Sequence, residues 1–442
     1  MATTFLRKTF SGNGNRNTWT LSFWVKRGAL GSQERLFSCE DSTSNDDDFF
    51  VFDNEDNLNL GFYSSGYYAQ KETTRVFRDI SGWYNIVITW DTTNGTAGDR
   101  LRLYVNGVRE TSFASSTNPS SSANSFVNTT EPWEIGKRSY NDTQYFSGSM
   151  SHIHFIDGTA YDASAFGSID ATSGEWVINT SPSVTYGTNG FFILKDGNSV
   201  TDQSGEGNNW VVEGGTLTDL QDCPSDVFAT LNPLDNYYQA STFTEGNNTV
   251  EHGYSNWTYN TSTLKIPEAT KFYCEAKVIT MYQNTCGIAS NVTTGDGGSN
   301  TSLGNITGGV AFRGTQGDIQ KEGSTVSGTW ATFTTNDIIQ IACDTVNNKL
   351  YFGKNGTWLN SGDPTSGASG TGAISITDNT DYFFAFGDNT SLARGKWSIN
   401  FGNGYFGTTI ISSEGTNASG IGKFEYDVPT GYTALSLKGL QE

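Results

Sequence analysis

One phrase occurs twice in this chain, and it restricts the fold more than any other feature. Trp83 to Asp91 reads WYNIVITWD, a polar stretch follows, and Leu101 to Gly107 reads LRLYVNG. Asp337 to Asp344 reads DIIQIACD, again with a polar stretch behind it, and Lys349 to Gly356 reads KLYFGKNG. Each is an alternating strand closed by an Asp, a short loop, a second alternating strand and an Asn-Gly turn. Asn-Gly suits a type I′ hairpin because both central residues need φ > 0. In the first copy Leu101, Leu103 and Val105 share one face, while Arg100, Arg102 and Tyr104 share the other. That period of two is a half-buried antiparallel strand. The chain is therefore expected to hold two β-sandwiches of similar construction, and the functional question is what such a pair serves.

At 442 residues the chain is too long for one hydrophobic core, and two domains of about 200 residues each are expected. Aromatic residues make up 13%, beside 51 Gly and only 8 Pro, a balance that favours strands and tight turns. The predicted class is all-β, with at most single helical turns such as one at Asp162 to Phe166. The formal charge is −20. A surface of that sign repels nucleic acid and anionic membrane, so neither is an expected partner. No segment approaches the length of an apolar membrane span, so no membrane insertion is expected. The first residues lack the apolar stretch of a secretory signal, so the expected place of synthesis is the cytosol. The cysteines at 39, 223, 274, 286 and 343 form an odd set without CxxC spacing. Cys274 alternates with Phe272, Ala276 and Val278, and Cys343 with Ile339 and Ile341, as small core residues do. Reduced, buried thiols are expected.

In the first half, strands are predicted at Thr18–Lys26, Arg35–Ser38, Phe49–Asp53, Leu58–Tyr63 and Thr74–Asp79, ahead of the hairpin. Further ones are predicted at Trp133–Gly136, Tyr145–Asp157 and Gly190–Lys195. Short strands split by Gly, Asn, Asp and Ser make a jelly-roll sandwich rather than a parallel sheet. The phrases TLSFWVK at Thr20, GWYNIVITWD at Gly82, LYVNG at Leu103, EIG at Glu134 and YFSG at Tyr145 stand in an order that resembles the laminin-G or concanavalin A-like lectin/glucanase fold. The resemblance covers about residues 1–215. It implies two curved sheets with any ligand on the concave face or the rim loops. Glucanases of this fold carry a Glu-x-Asp-x-Glu strand, since retaining chemistry needs two carboxylates about 5–5.5 Å apart. That triplet is absent, and Glu131 and Glu134, three apart, fall on opposite strand faces. No catalytic residue is assigned and no enzyme is expected. His152 and His154 share a strand face but lack further ligands. Laminin-G-like domains often hold Ca²⁺ at the sandwich rim, and Asp46, Asp47 and Asp48, taken as a loop, are the candidate ligands. Calcium is the one cofactor the sequence suggests.

Residues 216–245 turn irregular and are expected to form an ordered linker. The segments beyond include Gly253 to Tyr259, KFYCEAKV at Lys271, TCGIAS at Thr285, the second hairpin, YFFAF at Tyr382 and WSINFG at Trp397. Their order resembles a SPRY domain over residues 246–405, with 406–442 as a C-terminal tail. SPRY domains are binding modules that use loops at one edge, and the likeness makes Trp257, Tyr259, Trp330 and Trp358 the candidate ligand contacts. The tail from Pro429, with the phrases DISGWY at Asp79 and FIDGTAY at Phe155, is similar to virion proteins of tailed bacteriophages, especially marine ones. That resemblance implies a virion location, other virion proteins as partners and a homo-oligomer on the particle. The first functional reading is a surface appendage, a fibre or spike tip, whose sandwiches bind host cell-surface polysaccharide with avidity from many weak sites. The alternative is a capsid decoration protein that binds no sugar. A glycan-degrading enzyme stands third, because its carboxylate pair is missing.

Overall fold

A computed structural model describes every residue except 1–2, 42–45, 196–198, 236, 238–239, 253–255, 291–300, 379 and 391–393. The start of the expected second domain at Gly253 to Ser255 thus lies outside the described residues. Every described element is a strand or a short 3₁₀ turn, including one at Ala163–Ala165 where a single helical turn was expected. The protein is all-β, built as antiparallel jelly-roll sandwiches, and divides into Met1–Asp219 and Leu220–Glu442.

The first unit packs an eight-stranded sheet on a six-stranded one. The larger runs, in spatial order, through Phe113–Thr117, Tyr67–Val76, Asn57–Ser64, Asp46–Phe52, Glu34–Glu40, Trp133–Ile135, Phe5–Lys8 and Val211–Gly214. The smaller runs through Phe191–Ile193, Gly148–Asp157, Thr18–Arg27, Tyr84–Asp91, Leu101–Val105 and Val108–Arg109. Alternation decides what each strand buries. Trp19, Leu21, Phe23 and Val25 meet Phe50, Phe52, Leu60 and Phe62 in one core, with Leu101, Leu103 and Val105 of the hairpin. Asn106 and Gly107 have φ of 47° and 77°, the left-handed pair a type I′ turn requires. On the other side of the six-stranded sheet, Val87 and Tyr104 are covered by Ala163 and Phe166 of the segment that follows Gly148–Asp157.

The second unit repeats the plan. Its larger sheet runs through Thr242–Thr244, Thr249–Glu251, Lys396–Asn400, Lys271–Thr280, Ile338–Asp344, Lys349–Lys354 and Thr357–Trp358. Its smaller one runs through Asn256–Thr261, Phe383–Thr390, Thr285–Ala289, Val310–Arg313, Asp318–Lys321 and Ser324–Val326. Cys274, Ala276, Ile339, Ile341 and Cys343 face Cys286, Ile288, Phe312 and Phe386 across the core. Cys39, Cys274, Cys286 and Cys343 are buried free thiols.

Two expected boundaries need correction. Most of the stretch 216–245 is not a linker but part of the second unit: Ala229 and Leu231 sit in its core, and Ala229 N–H donates to Leu435 O at 2.8 Å. Nor is 406–442 an appended tail. Thr433–Ala434 pairs in parallel with Phe272 and Tyr273, and Phe424, Val428 and Tyr432 cover Tyr273 and Tyr351 on the outer face of the larger sheet. These two stretches are sparse in strand alternation because they cover a sheet with isolated anchors. That is why sequence periodicity assigns them to no domain.

Candidate functional site

The strands that fill the first core present a second set of side chains on the opposite face. In Asp46–Phe52, Phe50 and Phe52 turn into the core, so Asp47, Phe49 and Val51 point the other way. In Asn57–Ser64, Leu58, Leu60 and Phe62 turn inward, leaving Asn59, Gly61 and Tyr63 outward. Gly61 has a local reason: a Cβ there would stand 2.2 Å from the Phe49 ring, which lies across it. The Arg35 guanidinium stacks on that ring, 4.0 Å from its centroid. It donates to both Asp47 oxygens at 3.1 and 3.0 Å and through Nε to Gln144 Oε1 at 2.9 Å.

Beyond Ser64 the chain turns tightly, with Ser65 at φ 56°, and returns Tyr67 opposite Tyr63. The two rings meet edge-on at 5.4 Å and 82°, and Tyr67 also contacts Phe49 at 6.4 Å. Tyr67 is 46% exposed, so it offers an accessible ring at the rim. Together with Gln33, Asp53, Asn59, Arg138 and Gln144 these residues line a cavity of about 310 Å³. Burial raises the Asp47 carboxyl above the usual carboxylate range, and Arg35 pulls it back in part. Arg138 is matched by Glu40, with Nη2 2.8 Å from Oε1. Of the carboxylates that line the cavity, Asp47 is held on both oxygens. Asp53 Oδ1 accepts the N–H groups of Glu55 and Asn57. The groove thus offers an aromatic rim, a floor of paired charges and several neutral donors and acceptors. Such a surface suits a polyhydroxylated ligand.

Asp46, Asp47 and Asp48 open a strand and do not form the expected loop. Successive strand residues face opposite ways, so their carboxylates do not converge on one ion. Arg35 occupies Asp47. Asp48 is buried and accepts Tyr68 OH at 2.7 Å and the N–H groups of Phe126 and Val127 at 2.5 and 2.9 Å. Burial nevertheless lifts the Asp48 pKa to about 7. The expectation of a calcium cage is corrected on that ground. Among the described residues, no three His, Cys, Asp or Glu side chains gather as a metal site. A bulge at His152, with φ 47°, interrupts the alternation on which the His152–His154 pairing rested. His154 stacks on Phe192 at 3.9 Å, and burial holds its pKa well below the ordinary value.

The four expected contact aromatics do not form one site. Tyr259 is fully buried and stacks on Tyr237 at 4.5 Å, which corrects its assignment as a loop contact. Trp358 is half-buried and meets Tyr273 edge-on at 6.4 Å, so it borders the layer formed with the C-terminal segment. Trp330 is half-buried against the second core and donates to Val326 O at 3.2 Å. Its loop adjoins that of Trp358, because Asn360 N–H donates to Thr329 O at 3.0 Å. Trp257, half-buried, stands on Asn256–Thr261 at one edge of the smaller sheet, whereas Trp330 follows Ser324–Val326 at the other edge.

Sequence reasoning missed Arg35, Phe49, Tyr63 and Tyr67. The available signal was Tyr63-Ser-Ser-Gly-Tyr-Tyr68, a tight turn bracketed by tyrosines.

With this geometry in place, the chain matches the concanavalin A-like lectin/glucanases superfamily over residues 8–164, a span that contains the whole groove. The first unit carries a concanavalin A-like domain. No curated protein matches the chain. Similar solved structures include the SPRY domain of human HERC1, with 13% identity, a TM-score of 0.29 and coverage of 38% of this chain and 96% of that one. Another is a heptameric SAP-like pentraxin from Limulus polyphemus, with 16% identity, a TM-score of 0.28 and coverage of 36% and 71%. A third is the TRIM65 PSpry domain, with 10% identity, a TM-score of 0.30 and coverage of 39% and 88%. Likenesses at this level say nothing of ligand or partner.

Proposed function

We propose that the protein binds glycan without cleaving it, through the outer face of the eight-stranded sheet in its first unit. The observation that carries this reading is the open groove itself: an exposed Tyr67 beside Tyr63, with Asp53, Asn59 and Gln33 set around a floor of matched charges. The concanavalin A-like match over the same residues supports a carbohydrate ligand. Sugar rings present an apolar C–H face to an aromatic side chain and hydroxyls to the polar groups beside it, and the groove has both. A binding role fits a lining in which Asp47 is held by Arg35, so that of the two carboxylates among the described lining residues only Asp53 lacks an ion-pair partner.

The wider setting is part of the proposal. The Asp79 and Phe155 phrases and the closing segment resemble virion proteins of tailed phages. The protein is accordingly proposed to stand on the particle surface in many copies, where weak sites add by avidity. A decoration protein would leave the groove idle.

Tyr67→Ala tests the choice. Loss of one stacking ring should weaken binding of the purified protein to host envelope polysaccharide by roughly ten-fold, or about 1–2 kcal/mol. Its melting temperature should barely change, because the ring is half outside. Wild-type protein that fails to bind host polysaccharide at all would favour decoration.

A further inference from the structure

The charge arrangement in the groove bears on which sugars it accepts. Two cations line it, and both are committed. Arg35 is stacked on Phe49 and holds Asp47 with both terminal nitrogens. Arg138 engages Glu40 through Nε and Nη2, and Glu40 also accepts the Tyr140 N–H at 2.9 Å. Asp53 adds a carboxylate that has no ion-pair partner among the described residues. Its two hydrogen bonds, from Glu55 and Asn57, both use Oδ1, so Oδ2 remains an acceptor. With Glu40 behind Arg138, the groove carries one more negative charge than positive, in a chain of net charge −20.

We infer that the groove selects uncharged sugar units and discriminates against carboxylated ones such as uronic acids; this rests on the glycan reading above. A neutral sugar can donate a hydroxyl to Asp53 while its C–H face lies on Tyr67. A uronic acid brings a carboxylate to a place where every cation is already neutralised and a free carboxylate stands. It must shed its hydration there without gaining an ion pair. The field of the whole chain works in the same direction against a polyanionic polymer. The cavity, about 310 Å³, is at the small end for ligand sites. It therefore suits one or two sugar rings, so the charge of a single unit decides binding.

The full-length protein is applied to an array of neutral gluco-, galacto- and manno-oligosaccharides together with their uronic-acid counterparts of equal length. Binding should concentrate among neutral members. For any bound one, the uronic counterpart should be weaker by about ten-fold or more, and the neutral affinity should be flat with added salt. Asp53→Asn should narrow the gap, and Tyr67→Ala should weaken array binding by about ten-fold with an unchanged melting temperature. Equal or tighter binding of a uronic member, or an affinity that falls steeply with salt, overturns this inference while leaving the glycan reading intact. Binding to no member overturns both. Binding left unchanged by Tyr67→Ala places the ligand elsewhere and overturns the inference too.

Discussion

The two units use the same sandwich and differ in which faces they cover. In the first, the outer face of the eight-stranded sheet stays open around Phe49, Tyr63 and Tyr67. In the second, the outer face of the larger sheet carries Tyr273 and Tyr351, which are comparable aromatics, but Phe424, Val428 and Tyr432 lie over them. An aromatic sheet face is thus a binding surface or an internal layer according to what a distant segment does. Strand pattern alone does not distinguish the two. This is why loop tryptophans in the second unit were the natural expectation from sequence and the first unit holds the groove instead.

The largest effect should come from removing that covering layer. Residues 220–442 should fold alone. Residues 245–442, which lack Phe228, Ala229 and Leu231, and residues 220–405, which lack the closing segment, should not form a cooperative unit. Each deletion removes core or exposes the Tyr273–Tyr351 layer, and the loss of several large buried side chains exceeds the stability of a typical domain. Urea unfolding followed by tryptophan fluorescence reads this directly. A stable, cooperative 245–405 fragment would show that the layer is dispensable and end the comparison.

A second effect is shared. In each unit a buried carboxylate grips two successive backbone N–H groups of a crossing segment and one tyrosine hydroxyl. Asp48 holds Phe126, Val127 and Tyr68. Glu275 holds Glu425 and Tyr426, both at 2.8 Å, and Tyr273 at 2.9 Å. Burial is the largest influence on both and lifts each to about 7, against the pull of those donors. A carboxyl whose pKa is raised on folding retains protons that the unfolded chain has lost. Its contribution to stability is therefore full below the ordinary carboxylate range, near pH 4, and is lost as pH rises through about 7. At ~1.4 kcal/mol per unit the loss is on the order of 3–4 kcal/mol for each group. Unfolding free energies of 1–219 and 220–442 should both decline from about pH 5 to 8, and Glu275→Gln should flatten the second profile only. A decline in one unit alone would break the parallel.

The sequence made some features plain and hid others for a physical reason. Period-two alternation and Asn-Gly turns are local, so both hairpins, the all-β class and the inward-facing Cys274 and Cys343 could be read directly. Asp46–Asp48 looked like a loop of calcium ligands because three consecutive carboxylates seldom open a strand. Only the position of Arg35 on the neighbouring strand shows that Asp47 is paired. Phe49 was hidden because Phe49, Phe50, Val51 and Phe52 are apolar in sequence on both faces, so periodicity marks no open side. Tyr259 looked available because what covers it, Tyr237, lies more than twenty residues away in an irregular stretch. Alternation within a strand and the turns that join hairpins were legible, and side-chain contacts supplied by a neighbouring strand or by distant covering segments were not.

The smallest effect tests the likeness at its origin, the repeated Asn-Gly turn. Asn106 and Asn355 each receive a bond from the start of the preceding strand, Asn85 N–H to Asn106 Oδ1 and Ile338 N–H to Asn355 Oδ1, both at 2.8 Å. Each also returns its own N–H to the same residue's carbonyl at 2.9 Å. The glycine that follows lies under an aromatic ring from outside the hairpin, Trp176 over Gly107 and Tyr426 over Gly356. Replacing the asparagine by glycine keeps the positive φ available while removing the side-chain acceptor and, at Asn355, also the Nδ2 group that donates to Asp337 Oδ1 at 2.7 Å. Asn106→Gly should therefore cost about 1 kcal/mol, the usual net worth of one hydrogen bond, and Asn355→Gly about twice that or more, because its bond to the Asp337 carboxylate is lost as well; urea titration reads both. Both aromatic covers should stay in place, because glycine adds no atoms beneath them. A cost near zero in one unit and full in the other would mean that the turns share a sequence without sharing the bond. The repeated phrase would then be a likeness of strand pattern and no more.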